Sequence, residues 1–223
     1  MDKIEITAKE IEQLLKWRDE HVEFVRHHPT PLKAVEIVIT DNGYRIKGFR
    51  DDDDLRLHLN INGRSVGKCE FIRRADGMFA TKPGKIRFDK NVLGKNPQVH
   101  GEMVQSMLTV YCSLMALMAF ARVEPDKDAE DKPVRQRVAH KPSAKGSKKP
   151  TKQITYILRS HNGTLYAAPR GSHASPSGVF SVRGHFRHYR DGKIVWIAEY
   201  TKGTGKKKKS KVYRVGGVSD DRS

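Results

Sequence analysis

Ser181-Val182-Arg183-Gly184-His185-Phe186-Arg187-His188-Tyr189-Arg190 is the stretch whose residue types and spacing are best suited to chemistry. On a β-strand successive side chains alternate between faces. Arg183, His185, Arg187 and Tyr189 would then form one row, and Val182, Gly184, Phe186 and His188 the opposite one. Guanidinium groups in a row donate to phosphate oxygens, and the aromatic ring at the end is a platform on which a base can stack. Asp191-Gly192 is a hairpin turn signal. The segment after it alternates Ile194, Trp196, Ala198 and Tyr200, an apolar face able to pack on Phe186. An ordinary hairpin with a polar outer face would show the same alternation. The one-sided charge around it is what favours an anionic partner.

That charge is unevenly distributed. The net formal charge is +17, yet residues 1–131 hold 21 Lys and Arg against 22 Asp and Glu, a balance of −1. Residues 132–215 hold 21 Lys and Arg against Asp191 and Glu199 alone, a balance of +19. Arg190 and Lys193 extend the basic strand face. Lys206, Lys207, Lys208 and Lys209, between Gly205 and Ser210, form a basic loop. Each phosphate neutralised by such groups releases counterions, which raises affinity without reading sequence. Lys141, Lys145, Lys148, Lys149 and Lys152 would add to the same field.

Catalytic and metal readings have less support. His185 and His188 are three apart on the expected strand and point to opposite faces, so they would not share a metal. HExxH, HxH and CxxC patterns are absent. His173 or His185 with Tyr189 is the one arrangement from which a His-dependent nuclease or phosphodiesterase could be built. Gly203-Thr204-Gly205-Lys206 lacks the full spacing of a phosphate-binding loop. Asp51-Asp52-Asp53-Asp54 reads as an acidic turn between strands, since adjacent carboxylates diverge and make a poor Mg²⁺ cage. Cys69 and Cys112 are too few for a disulfide framework and read as reduced core thiols. The expected catalytic set, metal set and cofactor list are therefore all none.

Elements that must position these residues follow from periodicity. Thr7 and Glu10 have capping-box spacing, and Ile11, Leu14, Leu15, Val22 and Val25 recur at helical intervals up to Pro29. Strands are expected at Ala34–Thr40, Tyr44–Phe49, Leu55–Ile61 and Arg64–Ile72, with turns at Asp41-Asn42-Gly43 and Asn62-Gly63. Shorter strands are expected near Gly77–Ala80 and Lys85–Phe88. Met103–Phe120 is as long as a short membrane span, but Gln105, Ser106, Thr109 and Ser113 interrupt it, so it reads as a buried core helix. No apolar stretch resembling a signal peptide opens the chain, and a cytoplasmic location without membrane association is expected.

The expected fold class is α+β, an N-terminal antiparallel sheet with two helices, followed by a small all-β, barrel-like domain. The divisions are 1–122 for the α+β domain, 123–152 for a charged linker, 153–216 for the basic β-rich domain and 217–223 for a tail.

Residues 172–215 carry a resemblance. Val182–Val215, with Arg183, Gly184, His185, Phe186, Arg187, His188 and Tyr189, then Gly192, Lys193, Val195 and Trp196, is similar to a small basic domain of bacteriophage and prophage proteins. His173-Ala174-Ser175-Pro176 resembles a segment that precedes it there. The resemblance implies a phage-like origin and carries no activity or catalytic residues. The expectation is a phage-type nucleic-acid-binding protein acting without catalysis, in replication or recombination or as an anti-CRISPR-like inhibitor of a host defence complex. Its partner would be DNA, RNA or a nucleoprotein complex, with Arg183, His185, Arg187, Tyr189, Arg190, Lys193 and Lys206–Lys209 as contacts. The N-terminal part would dimerise or engage a protein. A protein-binding inhibitor whose basic half docks on an acidic protein surface is the third reading.

Overall fold

The computed structural model describes residues 1–120, 122–125, 155–159, 179–189, 191–203 and 208–215. In chain order the elements are β1 (Asp2–Ile6), α1 (Ala8–Glu20), α2 (Val22–His27), β2 (Ala34–Ile39), β3 (Tyr44–Asp51), β4 (Asp54–Ile61), β5 (Arg64–Arg73), β6 (Phe79–Phe88), α3 (Lys90–Leu93), α4 (Pro97–Phe120), β7 (Arg122–Pro125), β8 (Thr155–Arg159), β9 (Val179–Val182), β10 (His185–His188), β11 (Ile194–Ile197), β12 (Tyr200–Lys202), β13 (Lys208–Lys209) and β14 (Val212–Val215).

The fold is α+β, built on a large sheet of order β6-β5-β4-β3-β2-β1-β14-β8-β7. The expected antiparallel sheet is instead mixed. β1 runs parallel to both β2 and β14, and β14 runs parallel to β8. The chain opens not with the expected helix but with β1, in which buried Ile4 and Ile6 alternate with Lys3 and Glu5. Helix α1 then carries the chain from β1 to its parallel neighbour β2, which a tight turn cannot do. Strands lying on either side of residues 126–154 therefore share one sheet.

From β2 to β5 local patterning decides the structure. Leu55, Leu57 and Leu59 of β4 are buried, and the residues between them are not. Asn62 and Gly63 take φ of 50° and 83°, the left-handed pair that a two-residue hairpin between β4 and β5 requires. Asp52 and Asp53 make the turn between β3 and β4, as expected of the acidic run. The two short strands expected at 77–88 are one, β6, paired to β5 with a register shift between Cys69 and Phe71.

One face of the sheet carries the core. Thr7 caps α1 with the full capping box, its side chain accepting from the Glu10 N–H while Glu10 accepts from the Thr7 N–H. The single expected helix breaks at His21, and α2 ends before Pro29. Helix α4 packs against α1, α2, β3 and β4. Tyr111, Leu114, Met115, Leu117 and Met118 are all within 1% of full burial. This is the one helix among the described residues long and apolar enough to cross a membrane, and its burial on the sheet is that of a core helix. Gly48 permits the contact, because a Cβ there would lie 2.3 Å from the Tyr111 ring. Cys69 and Cys112 are free and buried, and burial pushes their thiols up to about 11 and about 12.

Candidate nucleic-acid interface

The residues singled out between Arg183 and Lys209 do not form one row. The expected continuous strand breaks at Arg183-Gly184, between β9 and β10, where the Gly184 N–H donates to the Pro31 carbonyl at 2.8 Å. Arg183 turns inward. Its Nη1 donates to the Met118 carbonyl in the last turn of α4, where helix carbonyls lack intrahelical partners and a cation is favoured. Burial there lowers its guanidinium to about 10. Arg183 is thereby committed to holding the helix end, unlike the phosphate contact expected of it.

The other residues lie around the β10–β11 hairpin. β10 pairs antiparallel with β11, Phe186 opposite Trp196, and those rings meet edge-on at 4.9 Å, as the alternation predicted. His185 shares a face with Arg187, and its Nδ1 donates to the Arg183 carbonyl at 3.1 Å. The Arg187 guanidinium stands 5.0 Å from the centre of the exposed Tyr189 ring. The Tyr189 N–H donates to the Lys193 carbonyl at 2.9 Å, which brings exposed Lys193 to the same tip. Lys208 and Lys209 form β13, parallel to Val179 and Phe180. Arg190, Lys206, Lys207 and His173 lie outside the described residues.

A second basic surface, absent from the sequence reading, lies on the other face of the large sheet. Pairing aligns Lys3 with Glu36, Glu36 with Lys47, Lys47 with His58, His58 with Lys68, and Lys68 with Arg87. Paired residues on neighbouring strands point to the same face. This row crosses six strands, about 24 Å at ordinary strand spacing. Arg45 and Arg56 stand on the same face in the flanking rows, as do Phe49, Glu70, Glu5 and Arg214. Seven basic residues (Lys3, Arg45, Lys47, Arg56, Lys68, Arg87 and Arg214) face three glutamates (Glu5, Glu36 and Glu70).

Internal pairing divides this set. Lys3 and Arg214 reach Glu5 at 2.7 and 3.2 Å, and Arg45 and Lys47 reach Glu36 at 4.0 and 3.9 Å. The Glu5 carboxyl lies low: its burial opposes the ionised form, but Lys3 and Arg214 prevail. Arg56, Lys68 and Arg87 are exposed and make no ion pair among the described residues. Half-buried His58 sits among them, its ring 5.4 Å from that of Phe49. Burial first, then Lys68, Arg56 and Lys47, push its pKa down, with Glu70 opposing. The acidic turn at the rim is partly neutralised, Asp54 by Lys82 at 2.8 Å and Asp51 by Lys33 at 3.9 Å.

Whole-segment charge concealed this surface, because residues 1–131 balance near zero. The usable signal was the strand alternation itself, which put Arg45 with Lys47 and Arg56 with His58 on the side opposite the leucines. No group of three or more His, Cys, Asp or Glu able to hold a metal occurs among the described residues. No protein-family model matches the chain, and no curated protein or solved structure was found similar to it.

Proposed function

We propose that this chain binds nucleic acid through the phosphate backbone and performs no catalysis of its own. The observation that carries the reading is the set Arg56, Lys68 and Arg87 on the open sheet face, exposed and making no ion pair among the described residues. Cations left uncompensated on a flat surface are what a polyanion can use, since their attraction is not already spent on a neighbouring acid. Arg187, Tyr189 and Lys193 at the β10–β11 hairpin, with the lysine run 206–209, supply a second contact region. In this reading the short strands β9–β13 form the basic, barrel-like β module, while β8 and β14, which lie within the same 153–216 segment, belong to the large sheet. In a bacteriophage setting such a protein serves replication or recombination, or blocks a host defence complex that carries nucleic acid.

The test is a salt titration of binding to single-stranded DNA, duplex DNA and RNA, with the full chain and with Arg56→Gln/Lys68→Gln/Arg87→Gln together. Affinity falls linearly with salt on logarithmic axes, and the triple substitution lowers the magnitude of that slope by about 2 to 3, near 0.7–0.9 per lost phosphate contact. Absence of binding at low salt, or an unchanged slope in the variant, overturns the proposal. Cleavage of the same ligands, with or without divalent metal, would instead support the nuclease reading.

A further inference from the structure

We infer that a cleft at one margin of the open sheet face receives a single unstacked nucleobase, so that the strand held there is single-stranded. This rests on the reading of that face as a phosphate-binding surface. The cleft has a volume of about 370 Å³, and its walls include Met1, Asp2, Lys33, Phe49, Glu199 and Tyr200. That volume is near the lower end of the roughly 300–1,000 Å³ of small-ligand sites.

Three observations specify the occupant. The cleft is continuous with the basic face: Phe49 in its wall is the cross-strand partner of Arg56 and touches the His58 ring. Two of its walls are aromatic, Phe49 and Tyr200, and Tyr200 is 45% exposed, so part of its ring is open to a ligand. Rings presented beside a basic track are stacking platforms for bases.

The third observation is the acceptor character of two of the wall residues. Glu199 accepts hydrogen bonds from the Lys33 N–H at 2.7 Å and from the Ser181 hydroxyl, and Asp2 accepts from the Lys211 N–H at 3.0 Å. Carboxylate oxygens only accept, so they offer a phosphate no donor, whereas the N–H edge of a neutral heterocycle can donate to them. A nucleotide would therefore enter base first, leaving its phosphates to exposed Arg56, the cross-strand partner of Phe49. Bases in a duplex are paired and stacked, so a duplex would have to unstack one at a cost.

The experiment compares three fluorescent ligands of equal length by anisotropy: a ten-nucleotide DNA strand of mixed sequence, the same backbone with every base removed, and the duplex. The full chain binds the base-bearing strand about ten-fold more tightly than the abasic one, the scale expected of one stacked base. Tyr200→Ala abolishes that difference and leaves abasic binding unchanged, and Tyr200→Phe preserves it. Circular dichroism and thermal melting check that each variant is folded. Equal binding of base-bearing and abasic strands by the full chain overturns the cleft proposal while leaving the phosphate reading intact, as does equal weakening of both ligands by Tyr200→Ala. Loss of salt-dependent binding to all three ligands sinks both.

Discussion

Arg50 Nη1 donates to His28 Nε2 across 2.9 Å, inside a part of the protein where His28 is 0% and Arg50 4% exposed. The His28 Nδ1 lies 2.7 Å from the Val25 carbonyl and must carry the proton, which leaves Nε2 as the acceptor. Arg50 also donates from Nε to the Asp52 carbonyl at 3.1 Å, and its guanidinium stands 5.3 Å from the centre of the Phe79 ring. A buried cation is thus held by neutral acceptors and a ring face. This arrangement ties the end of α2 to the turn between β3 and β4.

Acid should therefore weaken the fold through His28. Burial, then the adjacent Arg50, push its pKa down to about 3, from an ordinary value of 6.5. Between those values the unfolded chain binds a proton that the folded one refuses. The contribution to stability is complete above pH 6.5 and is lost progressively as pH falls toward 3, with a slope of up to about 1.4 kcal/mol per pH unit. Urea melts of the native chain and of His28→Gln from pH 7 to 4 should show a shallower decline in the variant.

Tyr111 and Gly48 make a paired prediction. Among the described residues the buried Tyr111 hydroxyl has no hydrogen-bond partner, so Tyr111→Phe should be neutral or stabilising by up to about 1 kcal/mol. Gly48→Ala should have the opposite sign, because its Cβ would sit 2.3 Å from the Tyr111 ring. A loss of about 1–3 kcal/mol is expected from overpacking. Thermal melting of the two variants reads both.

Arg183 separates stability from binding. Its guanidinium satisfies the Met118 carbonyl, so Arg183→Ala should lower stability by about 1–3 kcal/mol, as when a buried partner is removed. The salt slope of nucleic-acid binding should stay unchanged under conditions where the variant is folded. Arg187→Ala should do the reverse, reducing the slope magnitude by about 1 with melting within about 0.5 kcal/mol of the native chain.

Hairpins and faces in this chain were legible because their causes are local. Asn62-Gly63 and Asp191-Gly192 mark turns through backbone freedom at the glycines, the Thr7–Glu10 box marks a helix start, and Leu55, Leu57 and Leu59 mark an inner face. The composition of Met103–Phe120 was enough to identify a core helix. Each of these depends on residues a few positions apart, which is the range over which a linear pattern carries information.

The basic character that the sequence by itself determined was a property of segments, and it pointed beyond residue 131. Only the tertiary structure decided where charge is usable. Strand pairing brought Lys47, His58, Lys68 and Arg87, spread over some forty positions, into one line across the sheet. The carboxylates that balance residues 1–131 on paper are largely elsewhere, in the turn at Asp51–Asp54 or on helices and loops. The same long-range packing turned Arg183 inward, half-buried, by offering it a helix carbonyl. The physical reason is that cross-strand neighbours and helix-end acceptors are set by pairing between distant segments, which no spacing along the chain encodes.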